Sequence, residues 1–277
     1  MTKYKQILIV YKNIASPDAR HKKLFHQEKR EKAHQETLQT ITTTLESLKL
    51  SYHLLDRGGL RPFLGYDLII TVGGDGTVIA AAHVAGDIPV LGVNSVPEFS
   101  TGFFCSATKE NFKPLLTAIL EEKMIPTKLP LLRATIDGEP IESPALNDIL
   151  IAGTSPADTV YYTLHIDGKS ETQRSSGIWI AAGPGSTAGY HSAGGRAAPL
   201  TSDIIRYLVR EPCPLPHATY HMLQGEVSRG RTFALTCEGT NVMIYLDGTS
   251  LVKELPHKQT LTIEIERRPF FLFLVKG

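Results

Sequence analysis

Cysteine is scarce: Cys105, Cys213 and Cys237 stand far apart in a chain of 277 residues. Their odd number and the lack of any Cys-x-x-Cys spacing argue against a disulfide framework or a structural zinc site, and favour a reducing compartment. Net charge is almost absent as well, with 29 Lys and Arg against 28 Asp and Glu, a formal +1. That balance gives no electrostatic footprint for nucleic acid or for an acidic membrane surface. Long hydrophobic runs are missing. The first apolar run, Ile7-Leu8-Ile9-Val10, is too short for a membrane span or a signal-peptide core. The Lys- and His-rich stretch that follows also carries Glu, unlike a transit peptide, so a soluble cytoplasmic protein is expected. There is no internal repeat and no low-complexity linker. What remains, 42% apolar and 21% charged residues, is ordinary globular composition for one large or two modest domains.

The first 125 residues alternate. Residues 6–11 read as a buried strand, and Leu38, Ile41, Leu45 and Leu48 recur at helical spacing. Strands are expected at 51–55, at 67–72 and at 88–93, with a helix suggested by Ala80, Ala81, Ala82 and Val84. This is the grammar of a Rossmann-like parallel sheet with flanking helices. From 126 to 255 the helical period fades, and short strand-like runs appear at 131–136, 145–152, 160–166, 177–182, 232–238 and 241–246. Asp-Gly pairs at 137–138, 167–168 and 247–248 read as tight hairpin turns. The second half is therefore expected to be a mainly-β domain, a sandwich. The tail 256–277 holds the apolar run Phe270–Val275, a candidate for an extra strand of the first domain.

Chemistry concentrates in Gly73-Gly74-Asp75-Gly76-Thr77, after an expected strand and before an expected helix. Adjacent glycines let backbone approach a ligand closely, and free N–H groups at a helix start favour phosphate oxygens. A carboxylate in such a turn is odd for phosphate binding alone, because like charges repel. It makes sense where Asp75 acts on a hydroxyl near the phosphate, as a general base. The bland alternative is a strand-to-helix turn capped by Asp or Thr. No Gly-Lys-Ser/Thr follows, so this is not a Walker loop, and no Gly-x-Gly-x-x-Gly marks a dinucleotide fingerprint.

Gly73–Thr77 resembles the signature of the superfamily of NAD kinases, diacylglycerol and sphingosine kinases and 6-phosphofructokinases. Three further stretches narrow the resemblance to the NAD kinase family: Pro89-Val90-Leu91-Gly92-Val93-Asn94; Ala145-Leu146-Asn147-Asp148; and Gly185-Ser186-Thr187-Ala188 continued by Ser192-Ala193-Gly194-Gly195. The matches lie in the family order between residues 67 and 195. The spacer 95–102, the stretch Lys169–Gly177 with Gln173-Arg174-Ser175-Ser176-Gly177, and Val209-Arg210-Glu211-Pro212 look most like the mitochondrial-type members.

The resemblance implies transfer of a phosphate from ATP or another donor to the adenosine-ribose 2′-hydroxyl of NAD(H), with Mg²⁺, in a homodimer or homotetramer whose active site lies between two domains. Asp75 would take the hydroxyl proton. Gly73, Gly74, Gly76 and Thr77 would hold phosphates, and Asn94 closes the matching strand. Asn147 and Asp148 would grip ribose hydroxyls, although an Asx turn explains an isolated pair equally well. Ser186, Thr187 and Ala188 would line the adenine side, with Tyr190 and Ser192 following. The family's usual Tyr after Ser-Thr-Ala is replaced here by Gly189. Arg174 is weighed evenly between a phosphate contact and a solvated surface arginine. Asp247-Gly248 reads as a plain hairpin. His21, His26 and His34 are expected to be solvated; His83 and His191 are expected to pack. No side chain is assigned to a metal, because Mg²⁺ would arrive with the triphosphate. The rivals are a lipid kinase of the same superfamily and a non-catalytic dinucleotide-binding protein.

Overall fold

The computed structural model describes residues 3–13, 26–62, 65–216, 218–228 and 230–275; His21 lies outside them. The chain divides into two compact units, one running to Lys128 and resuming at Phe270, the other spanning Leu129–Pro269.

The first unit holds β1 (Gln6–Tyr11), α1 (Gln27–Ser47), β2 (Ser51–Asp56), β3 (Leu68–Gly73), α2 (Asp75–Ala82), β4 (Val90–Asn94), α3 (Phe112–Leu120) and β5 (Thr127–Leu129), and is completed by β18 (Phe270–Leu272). The sheet order is β2-β1-β3-β4-β18-β5, and the pairs β1–β2, β1–β3, β3–β4 and β4–β18 are parallel. β3 and β4 are buried along their whole length, as the unbroken runs Leu68–Val72 and Val90–Val93 require of central parallel strands covered on both faces. α2 begins at Asp75, a full turn earlier than the alanine run suggests, because the glycine turn itself starts the helix.

α1 corrects one expectation. Its buried face includes His34, Thr37, Ile41, Thr44 and Leu45, so the inward stripe starts a turn or more before the first leucine. His34 is therefore not solvated. It is 5% exposed, and its Nδ1 lies 2.8 Å from the Ser95 hydroxyl. A polar residue is tolerated on this face because its partner lies opposite.

The last strand brings the end of the chain into the same core. Phe273 N–H donates to the Val90 carbonyl at 2.9 Å, and the buried Phe273 ring meets Tyr4 edge-on at 6.2 Å.

The second unit is two antiparallel six-stranded sheets. One runs β10 (Lys169–Ser175), β9 (Val160–Ile166), β14 (Phe233–Cys237), β17 (Thr260–Ile265), β6 (Leu132–Ile136), β7 (Glu139–Pro140). The other runs β13 (Gln224–Val227), β12 (Ile205–Arg210), β11 (Gly177–Ala181), β8 (Asp148–Gly153), β15 (Val242–Leu246), β16 (Leu251–Leu255). Inward residues of both sheets, among them Tyr162, Leu164, Phe233 and Leu235 from one and Ile149, Ile151, Ile178 and Ile244 from the other, form a single core. This is sandwich packing, and alternate residues of each strand point away from it. At 137–138 and 167–168 both turn residues have positive φ, +49° and +88° in one and +52° and +77° in the other, the conformation that Asp-Gly favours in a two-residue hairpin.

Phe273→Ala should cost the first unit about 3–5 kcal/mol through the cavity left between β18 and Tyr4, read by chemical denaturation. Val275→Ala, at an exposed position two residues on, should stay within about 0.5 kcal/mol. Equal effects would mean that the tail adds nothing to this core.

Candidate active site

The glycine turn lies in the first unit. Gly73 is held by its carbonyl, which accepts from Ser95 N–H at 2.8 Å, and Thr77 N–H donates to the Gly74 carbonyl at 2.9 Å. A Cβ at Gly73 would sit 2.3 Å from the Thr77 hydroxyl oxygen, so no other residue fits there. That hydroxyl is buried and has no hydrogen-bond partner among the described residues. Asp75 follows at the first turn of α2, where the helix dipole stabilises a negative charge.

The Asp75 carboxylate is half-buried and accepts two backbone N–H groups, from Phe103 at 2.9 Å and Phe104 at 2.7 Å. It thereby ties the segment after β4 to the glycine turn. An ionised carboxylate offers about four lone-pair directions, so acceptor capacity is left over. Burial first, and then the Asp75 charge, push the thiol of neighbouring Cys105 up to about 12, which keeps it protonated and unreactive.

Two basic residues that the motifs do not include approach the turn, Arg57 with its guanidinium and Lys12 with its Cβ. Arg57 Nη1 lies 3.4 Å from where a Cβ at Gly76 would be, and the Lys12 Cβ lies 3.7 Å from the corresponding point at Gly73. Burial, and secondarily the charge of Lys12, lower the pKa of His34, so its imidazole is neutral at physiological pH. Asn94 has its amide in use: the NH₂ donates to Ser100 O at 2.9 Å and the oxygen accepts from Val96 N–H at 3.2 Å. It shapes the loop beside the glycine turn.

The second unit carries the other motifs. Asp148 opens β8 and is 5% exposed; its Oδ2 accepts from Gly189 N–H at 3.1 Å. Asp247 and Gly248 turn the chain between β15 and β16 with positive φ, +51° and +74°, as expected of an Asp-Gly pair, and the Asp247 side chain does more. Its carboxylate accepts from Leu146 N–H at 3.0 Å and Asn147 N–H at 2.7 Å, and its own N–H donates to the Asp148 carbonyl at 2.9 Å. Burial first, and then the Asp247 charge, raise the Asp148 pKa to about 7. A Cβ at Gly185 would sit 1.5 Å from the Asn147 carbonyl oxygen, so the turn Pro184–Thr187 rests directly on the Asn147-Asp148 backbone.

Ser186 is fully buried and saturated: it donates to the Gly183 carbonyl at 2.7 Å and accepts from Ala198 N–H at 2.9 Å. Thr187 is exposed and Ala188 half-buried. Tyr190 is 5% exposed with its ring against Gly195. Ser192 is exposed, its hydroxyl donating to Ala188 O at 3.2 Å. His191 is exposed rather than packed, with its Nδ1 2.8 Å from the Gly195 carbonyl. The Arg174 guanidinium lies at the surface, as one of its two readings expects, and is held there by its neighbours. It donates to the Cys213 carbonyl at 3.1 Å and to the Tyr161 hydroxyl at 3.1 Å, and lies over the Tyr161 ring.

The NADH kinase of Arabidopsis thaliana is 32% identical over 278 residues, covering 92% of this chain and 87% of that protein. The chain belongs to the NAD kinase family. The model of the ATP-NAD kinase N-terminal domain matches residues 5–124. Yeast NADH kinase, crystallised with NADH, shares the fold with a TM-score of 0.76 at 17% identity, over 99% of this chain and 84% of that one. An NAD kinase from Archaeoglobus fulgidus, crystallised with ATP, shares it at 0.70 and 23% identity, over 97% and 93%. The glycine turn joins β3 to α2 as the strand-turn-helix reading expects, and Asn147 and Asp148 lie at the start of β8. Asp247, Lys12 and Arg57 are additions made by the fold. An Asp-Gly pair reads first as a turn, and isolated cations carry no spacing signal, so only proximity reveals them.

Asp148 gives a pH-dependent prediction. Its carboxyl titrates near 3.8 unfolded and near 7 folded, so in between the folded chain binds the extra proton. The stability that this group permits is full below the lower value and declines as pH rises through the upper one. Asp148→Asn should therefore be more stable than the parent at pH 8, on the order of 2 kcal/mol, and equal to it near pH 4. Thermal unfolding at the two pH values is the check; a variant less stable at pH 8 contradicts the assigned burial.

Proposed function

We propose that this chain transfers the γ-phosphate of ATP to the adenosine-ribose 2′-hydroxyl of NAD(H), with Asp75 as general base. The observation that carries the reading is the Asp75 carboxylate itself: fixed by two amides at a helix start, in a turn of glycines, with Lys12 and Arg57 close by. In this reading the free N–H groups of the turn and the two cations hold phosphate oxygens. Asp75 takes the proton from the 2′-hydroxyl as its oxygen attacks the γ-phosphorus, and the bond from that phosphorus to the β-phosphate oxygen breaks in line, releasing ADP. Positioning and electrostatics supply most of the rate enhancement, as is general for phosphoryl transfer.

Asn147 and Asp148 are read as the ribose grip. A pKa near 7 lets Asp148 accept from a hydroxyl or, protonated, donate to a ribose oxygen. Thr187 and Ala188, left accessible, line the base side, whereas Ser186 acts through the turn it holds. Asn94 and Tyr190 likewise act through the backbone they support. A phosphate would reach Arg174 only by displacing its bonds to Tyr161 and Cys213. Phosphate oxygens are hard donors that suit Mg²⁺, which would neutralise charge on the triphosphate. A homodimer or homotetramer belongs to the same reading.

The test is NADP formation from NAD⁺ and from NADH with ATP and Mg²⁺, beside diacylglycerol as a rival acceptor. Asp75→Asn should lower kcat by about 10²–10⁴. An asparagine cannot accept both amides, so some loosening of the Phe103–Phe104 segment is expected, and NAD binding is measured separately by calorimetry. Turnover unchanged in Asp75→Asn rejects the base; phosphorylated lipid with no NADP rejects the substrate.

A further inference from the structure

Trp179 is the chain's single tryptophan. It lies on β11, two residues before Ala181, whose cross-strand neighbour is Asp148. Ile178 and Ile180 on either side face the sandwich core, so Trp179 and Asp148 project from the same outer face. The indole is half-buried, which leaves part of its surface open. A Cβ built at Gly189 would meet Trp179 Cη2 at 2.7 Å, Cζ3 at 2.8 Å and Asp148 Oδ2 at 3.1 Å. The far edge of the indole and the carboxylate thus converge on one point, and Gly189 N–H joins them by donating to that same Oδ2. Gly189 has no left-handed φ, so the indole and not the backbone conformation keeps a side chain out. Tyr190 is not a substitute, since its ring is buried against Gly195.

We infer that Trp179 is a dinucleotide-contacting residue, packing its indole against the nucleobase of the nucleoside whose ribose Asp148 holds. A carboxylate beside a half-open aromatic surface offers a sugar and a base what each requires, hydrogen bonding and stacking. The inference rests on the NAD kinase reading for the identity of the ligand. Stacking of this kind is sensitive to loss of the ring rather than to its exact identity.

Trp179 emission is a direct probe, because no other tryptophan contributes. In the wild-type protein, NAD⁺, which does not absorb at the emission wavelength, should quench or shift it, with half-saturation at the concentration that half-saturates calorimetric binding. Trp179→Val should raise the KM for NAD⁺ about tenfold, the loss falling on KM rather than on kcat, while Trp179→Phe should stay within about threefold. Gly189→Tyr combined with Trp179→Val should recover most of the lost affinity, since removal of the indole frees the space for a new ring. Circular dichroism and thermal melting establish that each variant is folded. Emission unmoved by saturating NAD⁺, or a folded Trp179→Val with the parental KM, overturns the inference. If the wild type forms no NADP, the kinase reading fails instead, and the emission titration still decides whether the indole meets the dinucleotide.

Discussion

The Asp75 carboxylate is tied by two backbone amides, and the glycine turn of the first unit depends on that tie. Phe103 and Phe104 donate to its two oxygens, so a segment that follows β4 is drawn onto the start of α2. The same residue stands where the helix dipole favours an anion and where the flanking glycines contribute no side chain of their own. Its geometry is thus fixed before any ligand arrives, as electrostatic preorganisation requires. Lys12 and Arg57 reach the turn from the ends of β1 and β2.

The second unit solves a different problem, the placing of a hydrogen-bonding pair at the start of an interior strand with little water. Asp247 binds the Leu146 and Asn147 amides and so fixes the approach to β8. Asp148 is left buried beside that charge and keeps its proton up to about pH 7. A carboxyl held near neutrality can serve as donor or acceptor, and carboxyls perturbed in this way cluster at functional sites. Gly185 and Gly189 have no conformational duty here. They are small because Asn147 in one case and Trp179 in the other occupy the space a side chain would need.

Much of this was legible in the sequence, for a physical reason. Buried parallel strands need unbroken apolar runs, so β1, β3 and β4 announced themselves, and Asp-Gly pairs marked the hairpins at 137–138 and 167–168 through their φ preference. Gly73–Thr77 was readable because close backbone approach leaves a compositional trace. What escaped depends on long-range proximity. His34 reads as part of a charged helix until its partner, Ser95, is found 61 residues away. Asp247 reads as a turn until its carboxylate is seen 101 residues from the Leu146 amide it holds. Arg174 had two equal readings, and its surface position fits one of them, but its bonds to Tyr161 and Cys213 lie 13 and 39 residues away and leave no trace in the sequence. Trp179 carries no motif at all, and only the empty position at Gly189 draws attention to it.

The most direct test of the account is a crystal structure of the chain with NAD bound. The account predicts the adenosine 2′-oxygen within about 3 Å of an Asp75 carboxylate oxygen, with the Phe103 and Phe104 amides still in place. A ribose lodged away from the glycine turn, with Asp75 engaged by those amides alone, would contradict it.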